Sequence, residues 1–227
     1  IAPKAKELEI PEGVRRVASW AFASANKVET LVLPDSLTEM GESAFWIAGL
    51  KTLRLGKSLT EIPENAYARC PLASVVIPDS VRSIGAGAFE ECMSLRSVTM
   101  GANVETLGAR VFSSCVNLTD VTLSPVLTAI PDRTFWYCQQ LKSIHIPNSV
   151  TRIGKQAFHL TALQEVNMPS NLQIVGSAAF RGTNINNLVF PATLKRVEAR
   201  AFQECPALDT VYFTGNAPYF APQSGHL

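Results

Sequence analysis

The chain has 227 residues, 47% of them hydrophobic and 17% charged, which excludes a disordered polymer and is enough for a sizeable core. Its formal net charge of +1 sets up no strong global field, so neither nucleic acid nor an anionic membrane surface is expected as a partner. No run of 18 apolar residues occurs, so no membrane insertion by this segment is expected.

The opening, IAPKAKELEIPEG, holds no apolar signal-peptide core. It does hold the first of a series of strand-like triplets. In chain order these are LEI, LVL, LRL, VVI, VTM, VTL, IHI, VNM, LVF and VYF. Their outer members are apolar and their middles varied, the period-two signature of a half-buried strand. Six end at proline: Pro11, Pro34, Pro78, Pro147, Pro169 and Pro191. Proline has no N–H to extend a ladder, so it stops the strand and begins a turn.

After each stop comes an apolar pair spaced by three, such as Val81/Ile84 and Val150/Ile153, usually followed by glycine or proline (Gly41, Pro63, Gly85, Gly108, Pro131, Gly154, Gly176). This predicts a second short extended piece and a corner. An aromatic closes the unit: Phe22, Phe45, Tyr67, Phe89, Phe112, Phe135, Phe158, Phe180 and Phe202, at intervals of 22 or 23 residues. Alanine usually precedes it, which predicts a short helical turn or loop packed close to its neighbours. Each unit is then one coil, and only stacking buries its apolar side chains. The expected fold is an α/β-repeat solenoid of about 9–10 coils. Parallel strands line one face, and short helical turns or loops line the other. The solenoid spans 1–213, followed by a cap or tail at 214–227.

The five cysteines, Cys70, Cys92, Cys115, Cys138 and Cys205, all stand three residues after the aromatic, where other coils carry Ala25, Ala48, Thr161 or Thr183. A column shared by alanine, threonine and cysteine reads as a small core position. Spacings of 22 and 23 draw a line rather than the converging pairs of a zinc site. Disulfides between adjacent coils fit the distance range, but parallel side-chain vectors and an odd count oppose them. His145, His159 and His226 are expected at the surface, with no pair placed for a metal or a proton relay. GAGAFE at Gly85 reads as a corner, and Glu90–Glu91 as a solvated pair. No nucleophile elbow, zincin motif or phosphate loop occurs, so no enzyme activity, cofactor or metal is expected.

Solenoids bind through extended strand faces. The outward middles of the triplets, Val32, Arg54, Val76, Thr99, Thr122, His145, Asn167, Val189 and Tyr212, are the candidate ligand-binding residues. Trp46 and Trp136 follow the aromatic column on the other side of the coil, where packing against the next turn is expected. Charge is uneven: from Val28 to Cys92 there are nine acidic and five basic residues, and from Lys142 to Arg200 two acidic and seven basic.

The complete unit reads L-x-x-[VL]-x-[IL]-P-x-x-[VL]-x-x-[IV]-G-x-x-A-F-x-x-C-x-x-L. VVIPDSVRSIGAGAFEECMSLRSV (Val75–Val98) and IHIPNSVTRIGKQAF (Ile144–Phe158) match it closely. It resembles the BspA-type leucine-rich repeat, known also from Treponema surface proteins, from Leu8 to about Phe213. The resemblance implies a bacterial protein, secreted or attached to the cell surface. It also implies a protein or glycan ligand, such as host extracellular matrix or another cell surface, and brings no shared catalytic residues. An alternative is a structural spacer that displays another domain of a longer chain.

Overall fold

The computed structural model describes residues 6–222, which wind into a solenoid of stacked three-sided coils. The first side is the triplet, in ten strands from β1 (Glu7–Glu9) to β19 (Thr210–Phe213), and the second is the apolar pair, from β2 (Arg16–Val17) to β20 (Tyr219–Phe220). Every pairing is parallel and joins equivalent positions of successive coils, as in Leu8↔Leu31 and Val17↔Met40. Within the segment read as a cap, β20 pairs with β18 (Arg196–Val197), so the second side continues past Phe213. Residues 223–227 of that segment, including His226, lie outside the described residues.

Of the helical turns or loops expected on the third side, the structure has turns. Among the described residues it contains no helix. Each coil instead places two residues in the left-handed region, two before and two after the aromatic. Arg110 (φ 60°) and Ser114 (φ 59°) flank Phe112, for example, and the bulky Ile47 (φ 54°) follows Phe45. Left-handed backbone costs an L-residue about 1–2 kcal/mol, and hydrogen bonding offsets it. The N–H groups of Arg110, Phe112 and Ser114 donate to the carbonyls of Asp132, Thr134 and Trp136 in the next coil. The alternate N–H groups turn back within their own coil, as Ser113 does to the Arg110 carbonyl. The same three donations recur at successive coil contacts, always with the N–H towards the C-terminal end. A helix would direct these groups along the third side and leave the coils unjoined there.

The core is a column of rings. Phe22, Phe45, Tyr67, Phe89, Phe112, Phe135, Phe158, Phe180 and Phe202 stack with centroids 5.3–5.7 Å apart and planes within 13° of parallel. Phe190 and Phe213 add a second stacked pair near the C-terminal end. The Tyr67 hydroxyl sits in this column, fully buried, with no hydrogen-bond partner.

The corner glycines serve close approach rather than unusual backbone angles. A Cβ on Gly108 would lie 2.3 Å from the Ala86 nitrogen and 2.6 Å from its Cα, in the preceding coil. Polar side chains also close the coil edges. Asp79 Oδ1 accepts from the Ala102 N–H at 2.7 Å, and Asn148 Oδ1 from the Ser170 N–H at 2.9 Å, each one coil on. Charges pair across the same interval: Glu29 lies 3.5 Å from Lys6 and 3.1 Å from Lys51.

Four thiols, Cys70, Cys92, Cys115 and Cys138, are completely buried, and Cys205 is partly so. They are more than filler. Each donates to the carbonyl of the aromatic one coil earlier: Cys70 to Phe45 at 3.1 Å, Cys92 to Tyr67 at 3.2 Å and Cys205 to Phe180 at 3.0 Å. Where threonine fills the column, its hydroxyl donates within its own coil, as Thr161 does to Phe158 at 2.9 Å. Burial raises the Cys70 thiol to about 12 and pushes Cys92 and Cys115 well above their ordinary value. These are inert, protonated donors.

Candidate functional site: the exposed strand face

On the first side, alternation sends the apolar members of each triplet inward and the middles out. Arg54, Val76, Thr99, Thr122, His145, Val189 and Tyr212 are exposed, while Val32 and Asn167 are partly covered. The apolar members of this set are prominent: Val76 is 67% exposed, Val189 56% and Tyr212 61%. A solvated sheet of this kind leaves its large side chains without internal partners, which is the condition for meeting an external one.

The first side divides into four short sheets, with breaks between β5 (Thr52–Arg54) and β7 (Ser74–Val76), between β11 (Asp120–Thr122) and β13 (Ser143–Ile144), and between β15 (Glu165–Val166) and β17 (Asn187–Phe190). A shallow trough of about 690 Å³ crosses the last two of these breaks. Its walls are polar: Thr119 to Thr122, Ser143 to His145, Gln164 to Asn167, and Asn186 with Asn187. The structure thus brings Thr122, His145 and Asn167 together in one depression. Arg54 and Val76 lie several coils towards the N-terminal end, and Tyr212 lies beyond the trough at the other.

Asn167 has a second engagement. Its Oδ1 accepts from the Ile146 N–H at 2.8 Å and its Nδ2 donates to the Ile146 carbonyl at 2.8 Å. Elsewhere the equivalent N–H meets a backbone carbonyl, as Met100 meets Thr122 and Ile77 meets Thr99. Of the sequence-derived candidates, this one is held by the ladder itself.

The third side carries functional groups that sequence reasoning placed differently. His159 was expected at the surface and is 8% exposed, its Nδ1 2.9 Å from the Arg181 carbonyl. It follows Phe158 directly, in the turn that forms the third side, and that turn buries it. Trp46 and Trp136 are partly covered, as packing against a neighbour requires. Trp46 lies edge-on to Trp20 at 5.7 Å and under the Arg69 guanidinium at 5.9 Å, and Trp136 stacks on Tyr137 at 5.4 Å. Trp20, 57% exposed, was not singled out in the sequence. Its place two residues before Phe22 is the only signal it offers. Among the described residues no group of three or more histidine, cysteine, aspartate or glutamate side chains is placed to hold a metal ion.

Comparison with known proteins agrees with this architecture. A family model described as the BspA type leucine rich repeat region matches in 6 copies, over residues 2–70, 60–181 and 128–223. A leucine-rich repeat protein from Bacteroides ovatus superimposes with a TM-score of 0.78 at 24% identity, over 92% of this chain and 63% of that one. The chain therefore spans less than two thirds of that protein's length. The T. pallidum leucine-rich repeat protein superimposes with a TM-score of 0.62 at 28% identity, over 69% of this chain and 77% of that one. No curated protein sequence matches. With the repeat unit, the ring column and a family match across nearly the whole chain, the protein belongs to the BspA-type leucine-rich repeat family.

Proposed function

We propose that this chain is a non-enzymatic binding module of a secreted or cell-surface bacterial protein, and that it takes an extended protein or glycan ligand along its strand face in an adhesive or host-interaction role. One observation carries the reading. The strand face presents exposed apolar side chains, Val76, Val189 and Tyr212, on either side of a polar trough at Thr122, His145, Asn186 and Asn187. Mixed apolar anchors and unpaired polar groups suit a long, flat ligand, and solenoids offer their extended faces to such partners. A trough this open gives a small substrate little to enclose it.

The test is a binding screen of the purified chain against immobilised extracellular-matrix proteins, mucins and glycans, followed by hydrogen-exchange footprinting with whatever is captured. Protection confined to the strand side supports the reading. Absence of binding throughout the panel overturns it in favour of a spacer that displays another domain, and turnover of a substrate by the pure chain overturns its non-enzymatic part.

A further inference from the structure

On the third side, around the Phe112, Phe135 and Phe158 coils, lies a hollow of about 250 Å³, separate from the strand-face trough. Trp136 forms one wall, with Arg110 and Arg133 beside it. Arg110 Nε stands 3.5 Å from Glu90 Oε1, and Arg133 Nε donates to the neutral Gln156 Oε1 at 2.8 Å. Two guanidinium groups thus face one carboxylate, and the hollow keeps a net positive charge.

Two buried polar groups also line it. Ser113 is only 2% exposed, and it lines the hollow. His159 is 8% exposed. Its Nδ1 meets the Arg181 carbonyl, a group that can only accept, so Nδ1 carries the proton and donates. That leaves the Nε2 edge of His159 for the wall of the hollow. Neither the Ser113 hydroxyl nor His159 Nε2 is a sealed, unsatisfied atom; both are within reach of solvent in the hollow and so are open to a polar ligand.

We propose that this hollow binds an anionic sugar: one six-membered ring bearing a carboxylate. The Arg133 guanidinium, with two nitrogens free of protein partners, receives the carboxylate in bidentate fashion. Ring hydroxyls hydrogen-bond with His159 Nε2 and with Ser113, and the apolar face of the ring lies against Trp136. The volume falls below the roughly 300–1,000 Å³ of sites for drug-sized ligands, so the hollow holds a single residue, such as the terminal unit of a glycan. This site is independent of the strand-face reading and shares no residue with it.

The probe is glucuronate, titrated against the intact chain while the indole N–H resonances of Trp20, Trp46 and Trp136 are followed by NMR. Glucose tests the charge requirement and acetate tests the ring requirement. The expected result is a saturable shift of the Trp136 resonance alone. Glucose and acetate bind at least about tenfold more weakly, and Arg133→Gln, checked for an unchanged melting temperature, loses about tenfold in affinity for glucuronate. Arg54→Glu on the strand face has no effect. The proposal is overturned by the absence of saturation at tens of millimolar, by acetate or glucose binding as well as glucuronate, or by an Arg133→Gln variant that binds normally. A glutamate-rich peptide binding more tightly than glucuronate would reassign the hollow to an acidic protein segment.

Discussion

The side-chain amide of Asn167 takes the place of a strand backbone against Ile146, accepting from its N–H and donating to its carbonyl, both at 2.8 Å. The ladder is thereby carried across a coil in which the regular backbone bond is missing. Asn167→Ala should therefore lower stability by about 1–3 kcal/mol, since two buried backbone groups lose their partners at once. Chemical denaturation measures the loss, and hydrogen exchange should show the Ile146 amide losing protection first.

Tyr67 is the one member of the ring column with a hydroxyl, and that hydroxyl is buried without a partner. Removing an unsatisfied polar group while keeping the ring should stabilise the fold. Tyr67→Phe is expected to raise stability by about 1–2 kcal/mol, read as a higher melting temperature with an unchanged denaturant slope.

Gly108 has the backbone of Ala86 where its Cβ would be. Neither segment is a flexible side chain that can swing aside. Gly108→Ala should cost about 1–3 kcal/mol through forced separation of the two coils. Gly13, with a φ of 96° and open space around it, should also resist alanine, but for its backbone angle. The two variants can be told apart by whether protection is lost across the coil contact at Gly108 or only near Gly13.

The buried thiols make stability fall with alkali. Burial raises Cys70 to about 12 and likewise pushes Cys92, Cys115 and Cys138 well above their ordinary value, whereas the unfolded chain releases these protons near pH 8.5. Between those values the folded state binds more protons than the unfolded one, so unfolding free energy declines as pH rises. The contribution is whole below about pH 8.5 and is lost progressively towards pH 12. Melting curves from pH 7 to 11 should show the decline, and Cys92→Ala should flatten it.

The ring column, the proline stops and the inward members of each triplet are legible in the sequence because every coil meets the next in the same way. One contact repeated nine times writes a period. Features that occur once, or that any residue type can satisfy, write none. The left-handed positions around each aromatic hold Trp20, Ile47, Arg110 and Tyr137 among others, so no glycine column announces them and alanine suggests a helix instead. The thiol column shows its size in the sequence but not its direction, and the bond from Cys92 to the Tyr67 carbonyl emerges only when coils are stacked. Asn167 looks like an outward middle residue until its partner, Ile146, is seen beside it. His159 and Ser113 are buried by the geometry of the third side, which the pattern leaves open.

The proposed function makes the strand face the binding surface. Its most direct test compares the intact chain with the triple variant Arg54→Glu, His145→Ala, Tyr212→Ala, by surface plasmon resonance against each ligand captured in the screen. The variant is expected to fold with an unchanged melting temperature and to lose at least about tenfold in affinity, the effect of removing central aromatic and charged contacts. Equal binding by the variant and the intact chain would contradict this expectation and move the interface away from these strands.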